Sequence, residues 1–467
     1  MIKKALALLL ALLLPSSSSL ALDGPAYEVF VASYADSDQN GIGDLNGLAQ
    51  KIPYIKQLNV DALWLMPIHP SPSYHKYDVT DYYGIDQDYG NIGDFFSLAK
   101  ELKKSNIKLI LDLVINHSSD RHPWFLSAAK SLSIEPCGKE TCPFKELCRA
   151  HNHYVNYYMF TRGNGQHKVP NTQDWYYLGN FGSHMPDFNL DDDNLRRELL
   201  SIARFWLENG ADGFRLDAVI HYYEQNSEKN ISFLSWFTQN LKQIKTDVYL
   251  VGEAWSDENT ILNLYSSGID SLFDFSLAGS DGRIVKAIRN KDGAGLSEYL
   301  AKRYNNINEA NPSARNAPFL SNHDMGRIAG TLMRKDQQIK QAAALYLTLP
   351  GVPFIYYGEE LGLTGSGKDE NKRLPMLWNG GNICSAPKGA DQQQKQKAGV
   401  KEQEKDPDSI LNFYKKLLSV RSKQREFSYG KLQNIDTGLN SIAAWEISFE
   451  KSRISVYHNL SKLELEL

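Results

Sequence analysis

The stretch Gly213-Phe214-Arg215-Leu216-Asp217 sets the reading of this chain: a short, mostly apolar run that closes on a cation and an anion two residues apart. Side chains at i and i+2 of a strand face the same way, so Arg215 and Asp217 point together. Three other stretches end in the same manner. They are Asp112-Leu113-Val114-Ile115-Asn116-His117, Val251-Gly252-Glu253-Ala254-Trp255 and Phe319-Leu320-Ser321-Asn322-His323-Asp324. Apolar strands with charged ends, repeated down one chain, describe a parallel barrel whose strand C-termini converge on one site.

Working outward, strand-like runs occur at residues 27–34, 62–67, 108–114, 213–216, 248–251, 271–273, 318–320 and 352–357. They alternate with amphipathic stretches such as 195–208, 231–244 and 410–420. Eight alternations predict an α/β fold, a (β/α)8 TIM barrel. After His117 about seventy residues pass before the next helix near Asp193, too many for a loop, so a subdomain is inserted after strand 3. Strand-like alternation returns at 441–449 and 452–457, predicting a short C-terminal β module. The resulting division is a barrel over 22–117 and 186–425, an insert over 118–185 and a module over 426–467. A second irregular stretch, 365–406, contains Gln392-Gln393-Gln394 and a Lys/Glu-rich part that reads as a solvated loop.

The chain has 467 residues, with 42% hydrophobic and 23% charged. Its net charge of -4 gives nucleic acid no electrostatic footing. At the N-terminus Lys3-Lys4 precede an apolar run over 5–14, then Pro15 and Ser19-Leu20-Ala21. That is a secretory signal over residues 1–21, so an exported chain, secreted or periplasmic, is expected. No later run is long and apolar enough to span a bilayer. Nothing in the sequence sets an oligomeric state. Cys137, Cys142 and Cys148 cluster, while Cys384 stands apart. In an exported chain one local disulfide is expected, its pairing open; the other reading is a zinc site with His151 and His153 adjacent.

Three of the strand ends carry the carboxylates Asp217, Glu253 and Asp324. A guanidinium beside Asp217 keeps it ionised, as a nucleophile requires. Glu253, beside Trp255 in a partly apolar setting, suits an acid that protonates a leaving oxygen. Asp324, with His117 and His323, can hold substrate hydroxyls and favour a cationic ring. Such a trio is equipped to cleave a glycosidic bond.

These four segments resemble the signature regions of the alpha-amylase family, glycoside hydrolase family 13, and the likeness runs from about Tyr27 to Arg421. Residues 61–68 and 351–360 resemble its second and eighth strands, and Met185-Pro186-Asp187-Phe188-Asn189 its short motif at the end of the insert. The resemblance implies Asp217 as nucleophile, Glu253 as general acid/base and Asp324 as transition-state stabiliser. It implies Arg215, His117 and His323 as substrate-contacting residues. Tyr74-His75-Lys76-Tyr77-Asp78 resembles the loop whose Tyr stacks on a sugar, which places Tyr77 there with His75 nearby; Lys76 stands where Gly is common. Retaining hydrolysis follows, with the two carboxyl groups about 5–5.5 Å apart.

Asp36-Ser37-Asp38-Gln39-Asn40-Gly41-Ile42-Gly43-Asp44 places oxygen side chains at alternate positions and Gly at the sixth, like the start of an EF-hand loop. Asp36, Asp38, Asn40, the Ile42 carbonyl and Asp44 are the expected ligands. Gly47 takes the twelfth position, where an EF-hand has Glu. Family members hold a structural Ca2+ after strand one, so the resemblance implies Ca2+ here. Asn116 and the His221 carbonyl match a second family calcium site, but Asn189 replaces its usual Asp, and that site is unassigned.

Ala218 and Glu253-Ala254-Trp255 resemble α-1,4-acting members. The expected partner is an α-glucan, and the leading expectation is an endo-acting alpha-amylase on starch and maltodextrins. A maltodextrin glucosidase or cyclomaltodextrinase is the alternative among enzymes. A non-catalytic α-glucan-binding protein is the alternative outside them.

Overall fold

The computed structural model describes residues 22–464 apart from 135–136, 138–141, 143–146, 225, 379–382 and 395–397. The expected signal over 1–21 lies outside the described residues.

Three strands open the barrel: β1 (Ala26–Val29), β2 (Ala62–Leu65) and β3 (Lys108–Leu113). The insert follows with β4 (Phe160–Arg162), β5 (His167–Lys168) and β6 (Trp175–Tyr177). The barrel resumes with β7 (Gly213–Leu216), β8 (Tyr249–Gly252), β9 (Ser271–Leu272) and β10 (Phe354–Tyr356). Seven of these form one parallel sheet in the order β10-β1-β2-β3-β7-β8-β9. Parallel bridges Phe273–Ala317 and Phe319–Phe354 span the remaining gap and close it into the expected (β/α)8 barrel. The run at 318–320 thus supplies the seventh position without becoming a regular strand. Pro318 has no N–H to give a ladder, and only its carbonyl pairs, accepting from the Phe354 N–H at 3.0 Å.

The strand residues alternate between two buried populations. Ala62, Trp64, Ile110, Tyr249, Val251, Phe273, Phe319 and Phe354 pack together inside the barrel. Their neighbours in sequence, such as Leu63, Leu65, Leu109, Leu111 and Leu250, face the surrounding helices. Burial on both faces is why the strands read as apolar runs. The expected first strand at 27–34 stops at Val29, because the chain turns into a 3-10 segment, Val31–Ser33, with Tyr34 N–H returning to the Val31 carbonyl.

The helix Asp193–Glu208 shows how the outer layer is built. Asp192 caps it, accepting from the N–H groups of Asn194 and Leu195, and Leu195, Leu199, Ile202, Ala203, Trp206 and Leu207 form its buried stripe. Trp206 Nε1 donates to the Tyr82 carbonyl at 2.8 Å, tying the helix to the loop after β2.

The insert rests on a small antiparallel sheet ordered β4-β6-β5. Bridges Tyr158–Phe188 and His117–Asp187 return it to the barrel mouth. The expected local disulfide is not formed among the described residues. Three of the cysteines meet the His151 ring as a group of donors, so no two sulfurs are singled out as a pair. The chain ends in an antiparallel sheet of β11 (Lys431–Asn434), β12 (Ile442–Phe449) and β13 (Ser452–Asn459). Its first strand escaped the sequence reading because only Leu432 of its four residues is buried, which leaves almost no alternation. Among the described residues no helix is long and apolar enough to cross a membrane.

Candidate active site

Arg215 lies inside the barrel mouth, 1% exposed, with its guanidinium 5.4 Å from the centre of the Trp64 ring beneath it. Its Nη1 pairs with Asp112 Oδ1 at 2.9 Å and with Asp217 Oδ1, and its Nη2 with Glu253 Oε2 at 3.1 Å. One cation from β7 therefore ties together carboxylates from β3, the end of β7 and the end of β8. Burial opposes its charge, but the surrounding acids outweigh that and hold its proton more firmly than in water.

The three strand-end carboxylates have unlike surroundings. Burial, with the charges of Asp217 and Asp324, pushes the Glu253 carboxyl up, against Arg215 and the Ala218 N–H. Ala218 donates that N–H to Glu253 Oε2 at 2.9 Å. It does so from a left-handed backbone, φ 50°, which costs a non-glycine residue about 1 kcal/mol and positions the turn after Asp217. Asp324 is the opposite case. Burial alone would raise it, but His323, Arg373 and Arg215 hold it well below the usual carboxylate range.

His323 Nδ1 donates to Glu28 Oε1 at 2.6 Å, and its Nε2 lies 2.9 Å from Asp324 Oδ2. Burial would lower its pKa, yet the carboxylates Asp324 and Glu28 raise it to about 9, so the ring is an imidazolium at neutral pH. Tyr77 stacks on this ring at 5.5 Å and donates its hydroxyl to Asp112 Oδ2 at 3.0 Å. His117 differs again, since burial lowers it to about 4 and keeps it neutral. Asn116 Nδ2 sits 3.4 Å from its Nδ1, while its buried Nε2 meets no protein partner among the described residues, and the residue lines the cleft.

These groups surround a cleft of 380 Å3 lined by His75, Tyr77, His117, Phe181, Met185, Asp217, Ala218, Glu253, Trp255, Asp324, Asp369 and Arg373. Six of the eight expected catalytic and substrate residues line it. The other two, Arg215 and His323, lie beneath it and act on its carboxylates. Trp255 is half exposed and stacks on Phe275 at 5.0 Å, a flat apolar platform at the rim. The loop holding His75 and Tyr77 keeps a left-handed turn at Lys76, φ 67°, although Lys replaces Gly. The Lys76 ammonium is buried against Asp86 at 2.8 Å and Asp88 at 3.4 Å, which anchors the strained turn.

Several site residues escaped the sequence reading. Arg373 Nη2 reaches Asp324 Oδ1 at 3.3 Å, and Arg373 also pairs with Asp369, both from the irregular stretch 365–406. No local pattern marks them, because their role depends on a loop crossing the barrel mouth. That stretch is also less loose than expected: Gln394 bonds both the N–H and the carbonyl of Thr364. Phe181 comes from the insert for the same reason, whereas Met185 opens the motif 185–189 that the sequence did mark, without its place at the cleft. Glu28 and Asp112 did leave a signal, a lone acid inside an apolar strand.

The loop after β1 brings carboxylate oxygens of Asp36, Asp38 and Asp44 within 4.8 Å of one another. Asp36 accepts the N–H groups of Asp38, Gln39 and Gly41; against burial, which would raise it, these hold its carboxyl below the usual range. Asn40 Oδ1 accepts the Ile42 N–H at 2.7 Å, and Asp44 accepts from Ser37 and Gly47. Gly41 has φ 91°, as the sixth position of such a loop requires. A Cβ at Gly47 would lie 2.0 Å from the Ala35 carbonyl oxygen, which explains why no Glu occupies the twelfth position. Hard oxygen donors in this cluster fit Ca2+.

Carboxylates with opposed proton affinities in one cleft, beneath a saccharide-sized opening, define a glycoside hydrolase. The chain belongs to the alpha-amylase family: residues 28–430 match the model "Alpha amylase, catalytic domain". It is 42% identical to "Alpha-amylase 3" of Dictyoglomus thermophilum, over 94% of this chain and 85% of that protein. The structure resembles Eubacterium rectale Amy13B with a TM-score of 0.88 at 39% identity, covering 95% of this chain and 87% of that one. It also resembles the alpha-amylase from H. orenii, with a TM-score of 0.82 at 36% identity, covering 94% and 89%. A more distant relative, at 28% identity over 94% of this chain and 96% of that protein, is the 4-alpha-glucanotransferase of Thermotoga maritima.

Proposed function

We propose that this chain is an exported, endo-acting alpha-amylase that hydrolyses internal α-1,4 bonds of starch and maltodextrins with retention. The observation that carries the reading is the bridge from Arg215 to both Asp217 and Glu253 at the floor of one cleft. Asp217, paired with the Arg215 guanidinium, attacks the anomeric carbon, while Glu253, whose proton is retained by burial, protonates the departing oxygen. The C–O bond to the leaving chain breaks and a β-linked glycosyl ester on Asp217 forms. Glu253, now a carboxylate, deprotonates water, which attacks the same carbon and releases an α-configured product with Asp217 restored. Asp324, kept anionic by His323 and Arg373, favours the cationic ring in both steps. His117 and His75 offer nitrogen atoms to substrate hydroxyls, and Tyr77 and Trp255 offer rings to sugar faces.

Asp36, Asp38, Asn40, the Ile42 carbonyl and Asp44 would hold Ca2+, whose contribution when bound is to neutralise the loop's clustered acids and fix its shape. The cleft and the apolar rim platform at Trp255 support the endo reading, and Ala218 after the nucleophile supports action on α-1,4 bonds. The experiment is product analysis on starch and on short maltooligosaccharides, with the anomeric form of early products followed by NMR. Mixed maltooligosaccharides in the α form are expected. A single small product from the start would replace this reading with the exo-acting glucosidase alternative.

A further inference from the structure

The insert carries a cluster that the hydrolytic mechanism does not use. Cys137, Cys142, Cys148 and His151 each offer a donor atom, and the four atoms all lie within 4.8 Å of one another. Their spacing is Cys-x4-Cys-x5-Cys-x2-His. Cys142 and Cys148 are buried, and Cys137 and His151 are partly so.

We propose that these three sulfurs and the His151 ring bind a structural zinc ion that staples the insert over the barrel mouth. Zinc bound by Cys and His takes four ligands in a tetrahedron, with Zn–S near 2.3 Å and Zn–N near 2.0–2.1 Å. Those bond lengths put neighbouring N and S donors about 3.6 Å apart. His151 Nδ1 lies 3.3 Å from Cys148 Sγ and 3.6 Å from Cys137 Sγ. One ring nitrogen cannot direct a single proton along both of those lines, whereas a cation shared by all three atoms satisfies them together. A disulfide would use two thiols and strand the third beside the imidazole.

The backbone supports the same assignment. The Cys137 N–H points at Cys148 Sγ at 3.5 Å, a donor suited to a metal-bound thiolate. The N–H groups of His151 and Asn152 both close on the Cys148 carbonyl, folding the ligand pair into a tight turn. Asn152, buried, carries the turn onto the helix Pro123–Leu132 through the Ser127 carbonyl and hydroxyl and the Ser131 hydroxyl. The mechanical need is visible too. The insert's own sheet has strands of only two or three residues, and small units without much core depend on cross-links or metals. Thiolate donors select zinc over the Ca2+ suited to the Asp36–Asp44 oxygens, so the two sites sort by donor softness.

The test is metal analysis of the full chain, purified without chelator, alongside cobalt reconstitution of chain stripped with a thiol-competing chelator. About one zinc per chain is expected, replaced by one cobalt with tetrahedral visible bands and a thiolate-to-cobalt charge-transfer band. Cys148→Ser and His151→Ala are expected to lose the zinc and to open the insert to limited proteolysis. Should Cys148→Ser fail to fold, the cobalt spectrum of the unmodified chain decides alone. A chain that neither carries zinc nor takes up cobalt overturns the proposal, whether its thiols are reduced or paired as a disulfide. So does metal binding that persists undiminished in Cys148→Ser.

Discussion

The ends of β7 and β8 and the loops that cross them meet at one cleft but are held by different means. Asp217 and Glu253 sit directly after strands whose backbone is bonded on both sides, and a buried guanidinium spans them. The loop after β1, the insert and the stretch around Arg373 have little regular pairing and rely on clustered side chains. The difference teaches that the barrel supplies fixed charge, while the crossing loops supply shape and need fastening. Chemistry should therefore fail when the barrel's charges are disturbed, and stability or substrate fit when the fastenings are.

The largest break on the barrel side is Arg215→Leu. It leaves Asp112, Asp217 and Glu253 crowded without their shared cation. Removing one partner of a buried charge group costs about 3–5 kcal/mol, so a sharp fall in denaturation midpoint is expected together with loss of hydrolysis. A variant that stays fully stable would show that the cation is not what holds the three acids. Next in size is the effect of pH. His323 has its folded pKa raised to about 9 against an unfolded value near 6.5. Its stabilisation is fully present below pH 6.5 and is lost as pH rises through 9. Denaturant titrations from pH 6 to 9.5 should show that decline, and His323→Gln should flatten it. Activity should fall on the alkaline side as well, once Glu253 loses the proton that burial helps it keep.

The smallest effect belongs to the loops. Removing Ca2+ from the Asp36–Asp44 loop with EDTA should lower Tm, because a ligand at a hundred times its Kd contributes about 2.7 kcal/mol. The acids at the strand ends should keep their activity in the cold. A Tm unchanged at saturating chelator removes the calcium assignment.

The same contrast explains what could be read from the amino acids. Strand ends are legible because period-two alternation and a terminal charge are both local: Arg215 and Asp217 announce each other across one residue. Long helices are legible too, as the stripe from Leu195 to Leu207 shows. The seventh barrel position is legible in the run at 318–320, but its irregularity is not, since Pro318 breaks the ladder only where a partner is present. Arg373 and Asp369 were illegible, because nothing in their own neighbourhood marks a loop that folds back 49 residues to meet Asp324. The cysteines are the harder case: their spacing alone does not distinguish a disulfide pair from a larger group of donors, and only the fold brings the His151 ring to the three sulfurs.

Retaining hydrolysis by this site requires Asp217 and Glu253 to flank one glycosidic linkage. The direct measurement is mass spectrometry of Glu253→Gln after reaction with α-maltotriosyl fluoride, whose leaving group departs without protonation. With no base to activate water, a maltotriosyl ester should accumulate on the peptide containing Asp217. Unmodified protein after fluoride release, or a sugar attached to any other residue, would contradict it.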